Sequence, residues 1–191
     1  MSLLDDMLAD LTGGDESRAE SAALELAQLG ESALPALKAL LASSKADHRW
    51  WAVRTLAQIP GSDASLFSAA LSDSSVEVRQ AAALALAEHP LEEAAPFLVR
   101  ALSDADDLLG NLSANALIAI GKPIIPILLG AFECESSSAR IHIMRVLAEL
   151  RDYRAIPIMM KAMESDSAML HYWANKGLER LGLDMVYIKP E

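Results

Sequence analysis

The sequence predicts an all-α protein, an αα-superhelix of about six helical hairpins, and three observations carry this prediction. First, prolines stand just ahead of several apolar runs. Second, hydrophobic residues make up 52% of the 191 positions and aromatic residues only 5%, which suits helices packed through Ala and Leu. Third, one leucine recurs at intervals of 30, 30, 31, 30 and 31 residues, at Leu26, Leu56, Leu86, Leu117, Leu147 and Leu178. A fixed period of this length is typical of stacked repeats.

The recurring leucine lies in the second helix of each repeat. In residues 75–89 this segment is rich in Ala and Leu and has no internal Gly or Pro to interrupt a helix. The residue four positions before the leucine is small in most copies: Ala22, Ala52, Ala82, Ser113, Ile143 and Ala174. We therefore expect these two positions to form the buried face of every second helix.

The first helix of a repeat is marked by proline. Its missing N–H would have no intrahelical partner at the start of a helix, so proline is tolerated there. Four copies follow this pattern, at Pro35, Pro96, Pro126 and Pro157. Neither helix of a pair can bury its apolar stripe alone, so neighbouring hairpins must stack.

The period predicts one elongated domain covering the whole chain. Residues 1–31 form an N-terminal cap hairpin, in which Ser17 and Glu20 are predicted to make a capping box. Residues 32–182 form five repeats, with boundaries at about 32–60, 61–89, 90–121, 122–152 and 153–182. Residues 183–191 lose the helical period and form a C-terminal tail, which we interpret as an extended lid over the last hairpin, with partner docking as the alternative.

The net charge limits the classes of binding partner, and the sequence features that direct targeting indicate a cellular location. The net charge is −11, and residues 1–110 hold 18 acidic against 7 basic side chains. Such a chain should repel nucleic acid and anionic membranes. The acidic half is interpreted first as a solvated, solubilising surface, with a basic partner as the alternative. The single cysteine, Cys134, the acidic start and the lack of a long apolar run predict a cytoplasmic location.

The pattern Val78-Arg79-x-x-Ala82-Ala83-x-Ala85-Leu86 resembles the HEAT-like repeats named for phycobilisome lyases. Partial copies begin at His48-Arg49 and Ala139-Arg140. The resemblance implies that the second helices line a concave face. It also implies that Arg49, Arg79 and Arg140 tie the turns of adjacent repeats together. Gly110 and His171 occupy the same slot without the charge.

Helical spacing predicts a surface opposite the buried leucines. Positions six and two before each leucine, and two after it, share one stripe of the helix. Aromatic, amide and cationic side chains concentrate on this stripe or one position from its start, and such groups often anchor partners. The candidate binding residues are Trp50, Trp51, Arg54, Asn111, Asn115, His142, Arg145, Tyr172, Trp173 and Lys176. The alternative is that the tryptophans fill gaps between repeats of an Ala-rich core.

No catalytic or metal-binding pattern is predicted. None of the four histidines is followed by a glutamate, and no two of them have the i, i+4 spacing of a helical zinc pair, so neither a metal nor another cofactor is expected. Cys134 lies between Glu133 and Glu135, which disfavour the thiolate that a nucleophile needs. The sequence therefore favours a non-enzymatic protein.

Three function classes remain. The first is a scaffold that binds a protein or peptide on its concave face. The second, implied by the resemblance, is a subunit of a bilin lyase or a chromophore-handling factor whose partner bears a bilin; any enzyme activity would be of this lyase type. The third is a base-excision enzyme similar to the HEAT-like alkylpurine glycosylases, which the net charge of −11 disfavours.

Overall fold

The structure, a computed structural model, describes residues 3–183 apart from the side chain of Cys134. This part of the chain is built from helices and turns and contains no strand. The all-α prediction is therefore confirmed. The tail segment 184–191, predicted to form a lid, lies outside the described residues.

Twelve α-helices follow one another along residues 3–183. In the first half they are α1 Leu3–Thr12, α2 Glu16–Leu29, α3 Leu34–Leu40, α4 Ala46–Ala57, α5 Ser65–Ala70 and α6 Val76–Glu88. In the second half they are α7 Ala95–Ala101, α8 Asp107–Ile120, α9 Ile125–Cys134, α10 Ser137–Leu150, α11 Ile156–Ala162 and α12 Ala168–Arg180. Short 3-10 turns precede α3, α7, α9 and α11.

The helices are arranged in hairpins within two compact units, residues 1–89 and residues 90–191. In the N-terminal unit α1 packs on α2, α3 on α4 and α5 on α6, while α2, α4 and α6 pack side by side. In the C-terminal unit α7 packs on α8, α9 on α10 and α11 on α12, with α8, α10 and α12 side by side. Each unit thus contains three hairpins, and the second helices form its shared layer.

Two kinds of residue begin these helices. Proline occupies the first turn of α3, α7, α9 and α11, as predicted. The side chains of Asp15, Ser75, Asp106, Ser136 and Ser167 accept hydrogen bonds from backbone N–H groups at the starts of second helices. Such caps satisfy donors that have no partner inside the helix.

The predicted capping box at Ser17 and Glu20 is wrong. Helix α2 begins at Glu16, and the Asp15 carboxylate accepts from the Arg18 N–H at 3.0 Å. Ser17 therefore lies inside the first turn. Asp and Ser are both favoured N-cap residues. Asp15 is the cap because α2 begins two residues earlier than predicted.

The buried face of the second helices matches the predicted register. All six recurring leucines are at most 1% exposed, and the positions four residues earlier are at most 4% exposed. Leu29, at the end of α2, is by contrast 38% exposed. The period therefore identifies the core of every hairpin.

Arg49, one of the arginines seven residues before a recurring leucine, joins two successive hairpins. Its guanidinium donates to both carboxylate oxygens of Asp73 at 2.7 Å, and both side chains are only 13% exposed. Asp73 lies in the turn before α6, so the contact joins successive repeats. The hydrogen bond from Arg49 lowers the pKa of Asp73 below its usual value. Arg79 donates to the backbone carbonyl of Asp73 in the turn before α6, and Arg140 donates to that of Glu133 near the end of α9.

Within residues 3–183, no single helix is long and apolar enough to cross a bilayer. Helix α8 and the segment Lys122–Glu133 meet that test together by length and composition, with a bend of 107° between them. Leu109 and Leu117 of α8 are fully buried against the rest of the protein.

Candidate binding surface

The predicted stripe lies away from the core in all six second helices. None of its eighteen side chains is buried, although one face of the same helices is almost completely buried. Its exposed members include Leu24 at 52%, Leu84 at 51% and Tyr172 at 53%. Single exposed apolar side chains are ordinary on protein surfaces, so the evidence for a binding role lies in the aromatic and charged clusters of the stripe.

In the N-terminal unit the stripe is organised around Trp50 and Arg54 of α4. The Trp50 and Trp51 rings meet edge to face, with centroids 4.8 Å apart. The Arg54 guanidinium lies 5.2 Å from the Trp50 centroid and 5.5 Å from that of Trp51, within the range of cation–π attraction. Its Nη2 also donates to the Glu20 carboxylate of α2 at 2.6 Å. These contacts hold an arginine and an indole in a fixed arrangement at the surface.

The two tryptophans have different surroundings. Trp51 is only 5% exposed and packs into the core, in the gap-filling position that the alternative interpretation described. Trp50 is half-buried and remains accessible. Of the two, Trp50 is the one that a partner can reach, while Trp51 supports it from below.

Beside these tryptophans the N-terminal unit has a cleft of about 550 Å³. The starts of three second helices, α2, α4 and α6, meet there. Its lining residues are Gly14, Asp15, Glu16, Ala46, Asp47, Trp50, Trp51, Ser75, Glu77 and Gln80. We call it the tryptophan cleft.

Sequence reasoning missed the tryptophan cleft, although a signal was present. Acidic residues occur in the first turns of the second helices at the repeat period, as Glu16, Asp47 and Glu77. Carboxylates at helix starts are usually explained by the helix dipole, and this explanation hides their convergence. Reading the period on the acidic positions as well as on the leucines would have brought them together.

In the C-terminal unit the stripe carries a second polar cluster, around Arg145 of α10. Its guanidinium donates to the side-chain oxygens of Asn111, at 3.2 Å, and Asn115, at 2.5 Å, both on α8. Both asparagines are exposed. Three of the predicted residues therefore contact one another across neighbouring helices.

Helix α12 carries the aromatic part of the stripe in this unit. The Tyr172 and Trp173 rings meet edge to face with centroids 5.1 Å apart, and Trp173 is the more buried of the pair. Lys176 forms a long ion pair of 3.5 Å with Glu179 and stays accessible. Tyr172 is thus the large aromatic group that this helix presents to solvent.

His142 packs against Gly110, one of the positions where the arginine slot lacks its charge. A Cβ atom on Gly110 would lie 2.9 Å from the His142 Nε2, so the absence of a side chain at Gly110 makes room for the imidazole. Burial lowers the pKa of His142, and the nearby charge of Arg145 lowers it further. Both effects favour the neutral imidazole, which packs against Gly110.

The predicted binding role of the ten residues stays a prediction. Trp50 and Arg54 are accessible on α4, and Tyr172 and Lys176 are accessible on α12. These residues come from both units, and their predicted membership of one continuous surface also stays a prediction. Among the described side chains no group of three His, Cys, Asp or Glu residues could hold a metal ion.

Comparison with known protein families identifies the repeat. The family described as HEAT repeats matches residues 64–137. This match contains the pattern around Arg79, so the resemblance to HEAT-like repeats inferred from that pattern is confirmed.

Two curated relatives match the chain at low identity. It is 28% identical over 92 residues to the bilin biosynthesis protein RpcF of Synechococcus sp. (strain WH8020), covering 48% of this chain. The match spans 44% of that relative's length. It is 29% identical over 142 residues to the uncharacterized phycocyanin operon protein Z of Pseudanabaena tenuis (strain PCC 7409), covering 69% of this chain and 70% of the relative.

Solved structures share the fold. The complex of CpcE and CpcF of phycocyanin lyase from Nostoc sp. PCC7120 matches with a TM-score of 0.57 and 24% identity, over 75% of this chain and 96% of that one. A designed armadillo repeat protein in complex with a (KR)4 peptide matches with a TM-score of 0.57 and 20% identity, over 94% and 100%. The chain thus has the fold of armadillo and HEAT-repeat solenoids.

Proposed function

We propose that this chain is a non-enzymatic interaction protein that binds a protein or peptide partner through the stripe on its second helices. The observation that carries the proposal is the ordered cluster of Trp50, Trp51, Arg54 and Glu20. Aromatic and arginine side chains are the residues that most often dominate binding energy. Here they are held at the surface by ring contacts and an ion pair, so little side-chain freedom is lost on binding.

The stripe in the C-terminal unit supports the same function. Tyr172 is 53% exposed and braced by Trp173. An exposed tyrosine held by an aromatic neighbour offers a large contact area with few rotatable bonds. Two solved structures with this fold are themselves complexes: CpcE with CpcF, and a designed armadillo repeat protein with a peptide.

Partner capture with stripe variants tests this proposal. We expect the double variant Trp50→Ala, Tyr172→Ala to lose about 2 kcal/mol or more of binding free energy, as hot-spot truncations do. This corresponds to roughly a 30-fold higher Kd. The measurement is capture from an extract of the source cells, followed by titration of the captured partner.

Tyr153→Ala is the matched control, because Tyr153 is 70% exposed and lies in the 3-10 turn before α11. This variant should bind like the wild type. The proposal fails if the double variant melts at a lower temperature while binding per folded molecule is unchanged, because the two rings would then be packing groups.

A second candidate function is a bilin lyase subunit or chromophore-handling factor. It is supported by the names of the curated relatives and by the indole and guanidinium groups of Trp50 and Arg54, which suit a planar tetrapyrrole and its carboxylates. Addition of a bilin should then shift its absorbance spectrum, and Trp50→Ala should abolish the shift. Unchanged spectra with intact partner capture would leave the interaction function alone.

A further inference from the structure

We propose that the tryptophan cleft binds a Lys or Arg side chain from a basic, extended segment of the partner. This inference rests on the proposed interaction function and names the chemistry of the partner at one place. The cleft lies in the N-terminal unit, where the starts of α2, α4 and α6 meet beside Trp50. Its volume of about 550 Å³ holds a long cationic side chain together with neighbouring peptide atoms.

The charges of the cleft are complementary to a cation. Its ten lining residues include four carboxylates and no Lys or Arg. Glu16 and Asp47 are exposed, Asp15 caps α2, and Glu77 accepts from the Ser75 hydroxyl at 2.6 Å. Three helix starts add roughly half a positive charge each. Four formal negative charges outweigh them, so the cleft has an excess of negative charge.

The indoles supply the second half of the recognition. A guanidinium or ammonium is attracted to an indole face within about 6 Å of its centroid. Arg54 shows that these rings accept a guanidinium, at 5.2 Å from Trp50 and 5.5 Å from Trp51. Its own charge is paired with Glu20. Both rings line the cleft, and the accessible ring of Trp50 places aromatic surface beside the carboxylates that a partner cation would meet.

The same features favour a peptide cation over a metal ion. Metal sites need several convergent ligands, and the described side chains contain no group of three acidic, His or Cys residues able to hold a metal. The residues 1–89 carry 13 acidic and 6 basic side chains, which steers a basic segment toward this unit. The stripe residues Leu24 and Leu84 offer apolar contact to the rest of such a segment.

Calorimetric titration with short capped peptides tests the inference on the full chain. A peptide of alternating Lys and Arg should bind, and peptides of Glu with Gly or of Ser with Gly should not. The cleft variant Glu16→Gln, Asp47→Asn should raise the Kd of the basic peptide on the order of tenfold. Trp50→Phe should weaken it less than Trp50→Ala, since a phenyl ring keeps part of the cation–π attraction.

The control Glu92→Gln, Glu93→Gln removes the same charge from the 3-10 turn Glu92–Ala94, outside the cleft. This variant should change the Kd less than twofold. Equal losses in the two double variants would overturn the inference, because binding would then report net charge alone. Absence of binding to the wild type would also overturn it.

Failure of the inference is distinguishable from failure of the proposed function. Tyr172→Ala tests the stripe in the capture experiment without changing the cleft. If this variant loses the partner while the basic peptide does not bind the wild type, the cleft inference alone is wrong. If the peptide binds and depends on Glu16 and Asp47, but stripe variants keep every partner, the stripe proposal is wrong.

Discussion

Leu84 and Leu86 lie two residues apart on α6 and have opposite environments. Leu86 is fully buried, whereas Leu84 is 51% exposed. The difference follows from the helical period, because two residues correspond to slightly more than half a turn. The pair therefore reports the register of the repeat directly.

We expect Leu86→Ala to lower the free energy of unfolding by about 2–5 kcal/mol, because it leaves a cavity among packed helices. Leu84→Ala should cost less than about 0.5 kcal/mol, since its side chain is largely in water already. Denaturant unfolding followed by circular dichroism measures both. Similar losses at the two positions would show that the register is wrong.

At the scale of single helices, the start of α2 shows how a cap is chosen. The Asp15 carboxylate accepts from the Arg18 N–H, and Ser17 lies two residues further on, inside the first turn. Both residues are favoured at this position by type. What separates them is the backbone, which is extended at Asp15 and helical from Glu16 onward.

We expect Asp15→Ala to lower the free energy of unfolding by about 1 kcal/mol, the usual cost of a lost cap. Ser17→Ala should stay within about 0.5 kcal/mol of the wild type, because its hydroxyl caps no helix. Chemical denaturation of the two variants in parallel is the measurement. A larger loss at Ser17 would restore the capping box.

The ion pair between Arg49 and Asp73 acts between elements, and it makes stability depend on pH. The pKa of Asp73 is lower in the folded protein, so its ionised form contributes stability above the unfolded value of about 3.9. This contribution is lost as the pH falls through the lower folded pKa. We expect Asp73→Asn to melt below the wild type at pH 7 and to approach it under acid conditions.

Melting temperatures measured between neutral pH and about pH 3 check this prediction, since the unfolded carboxyl titrates in that range. The control is Asp47→Asn, which removes an exposed carboxylate on α4. It should give a nearly constant difference from the wild type. A constant difference for Asp73→Asn as well would mean that the ion pair contributes nothing to the pH dependence.

At the scale of the whole molecule, charge decides among partner classes. The net charge of −11 repels the phosphate backbone, and no excess of positive charge is available to release its counterions. We therefore expect no shift of duplex DNA in an electrophoretic assay at physiological salt. Binding under those conditions would revive the glycosylase alternative and would conflict with a site for basic segments.

Much of the protein was predictable from the sequence because its information is local and periodic. A leucine recurs every 30 or 31 residues in the six second helices. The helical period then identifies the buried face of each of these helices and the stripe opposite it. The same reasoning placed Trp50, Arg54 and Tyr172 on that stripe. These conclusions need only the positions of residues along one helix.

Tertiary structure decided what those residues contact. Trp50 and Trp51 are adjacent in sequence, yet one is accessible and the other is 5% exposed, because the packing of α4 between α2 and α6 covers one ring. The tryptophan cleft likewise needs Glu16, Asp47 and Glu77 to converge from helices about 30 residues apart. The period predicts that such helices are neighbours, but the distances between their side chains depend on how closely the helices pack.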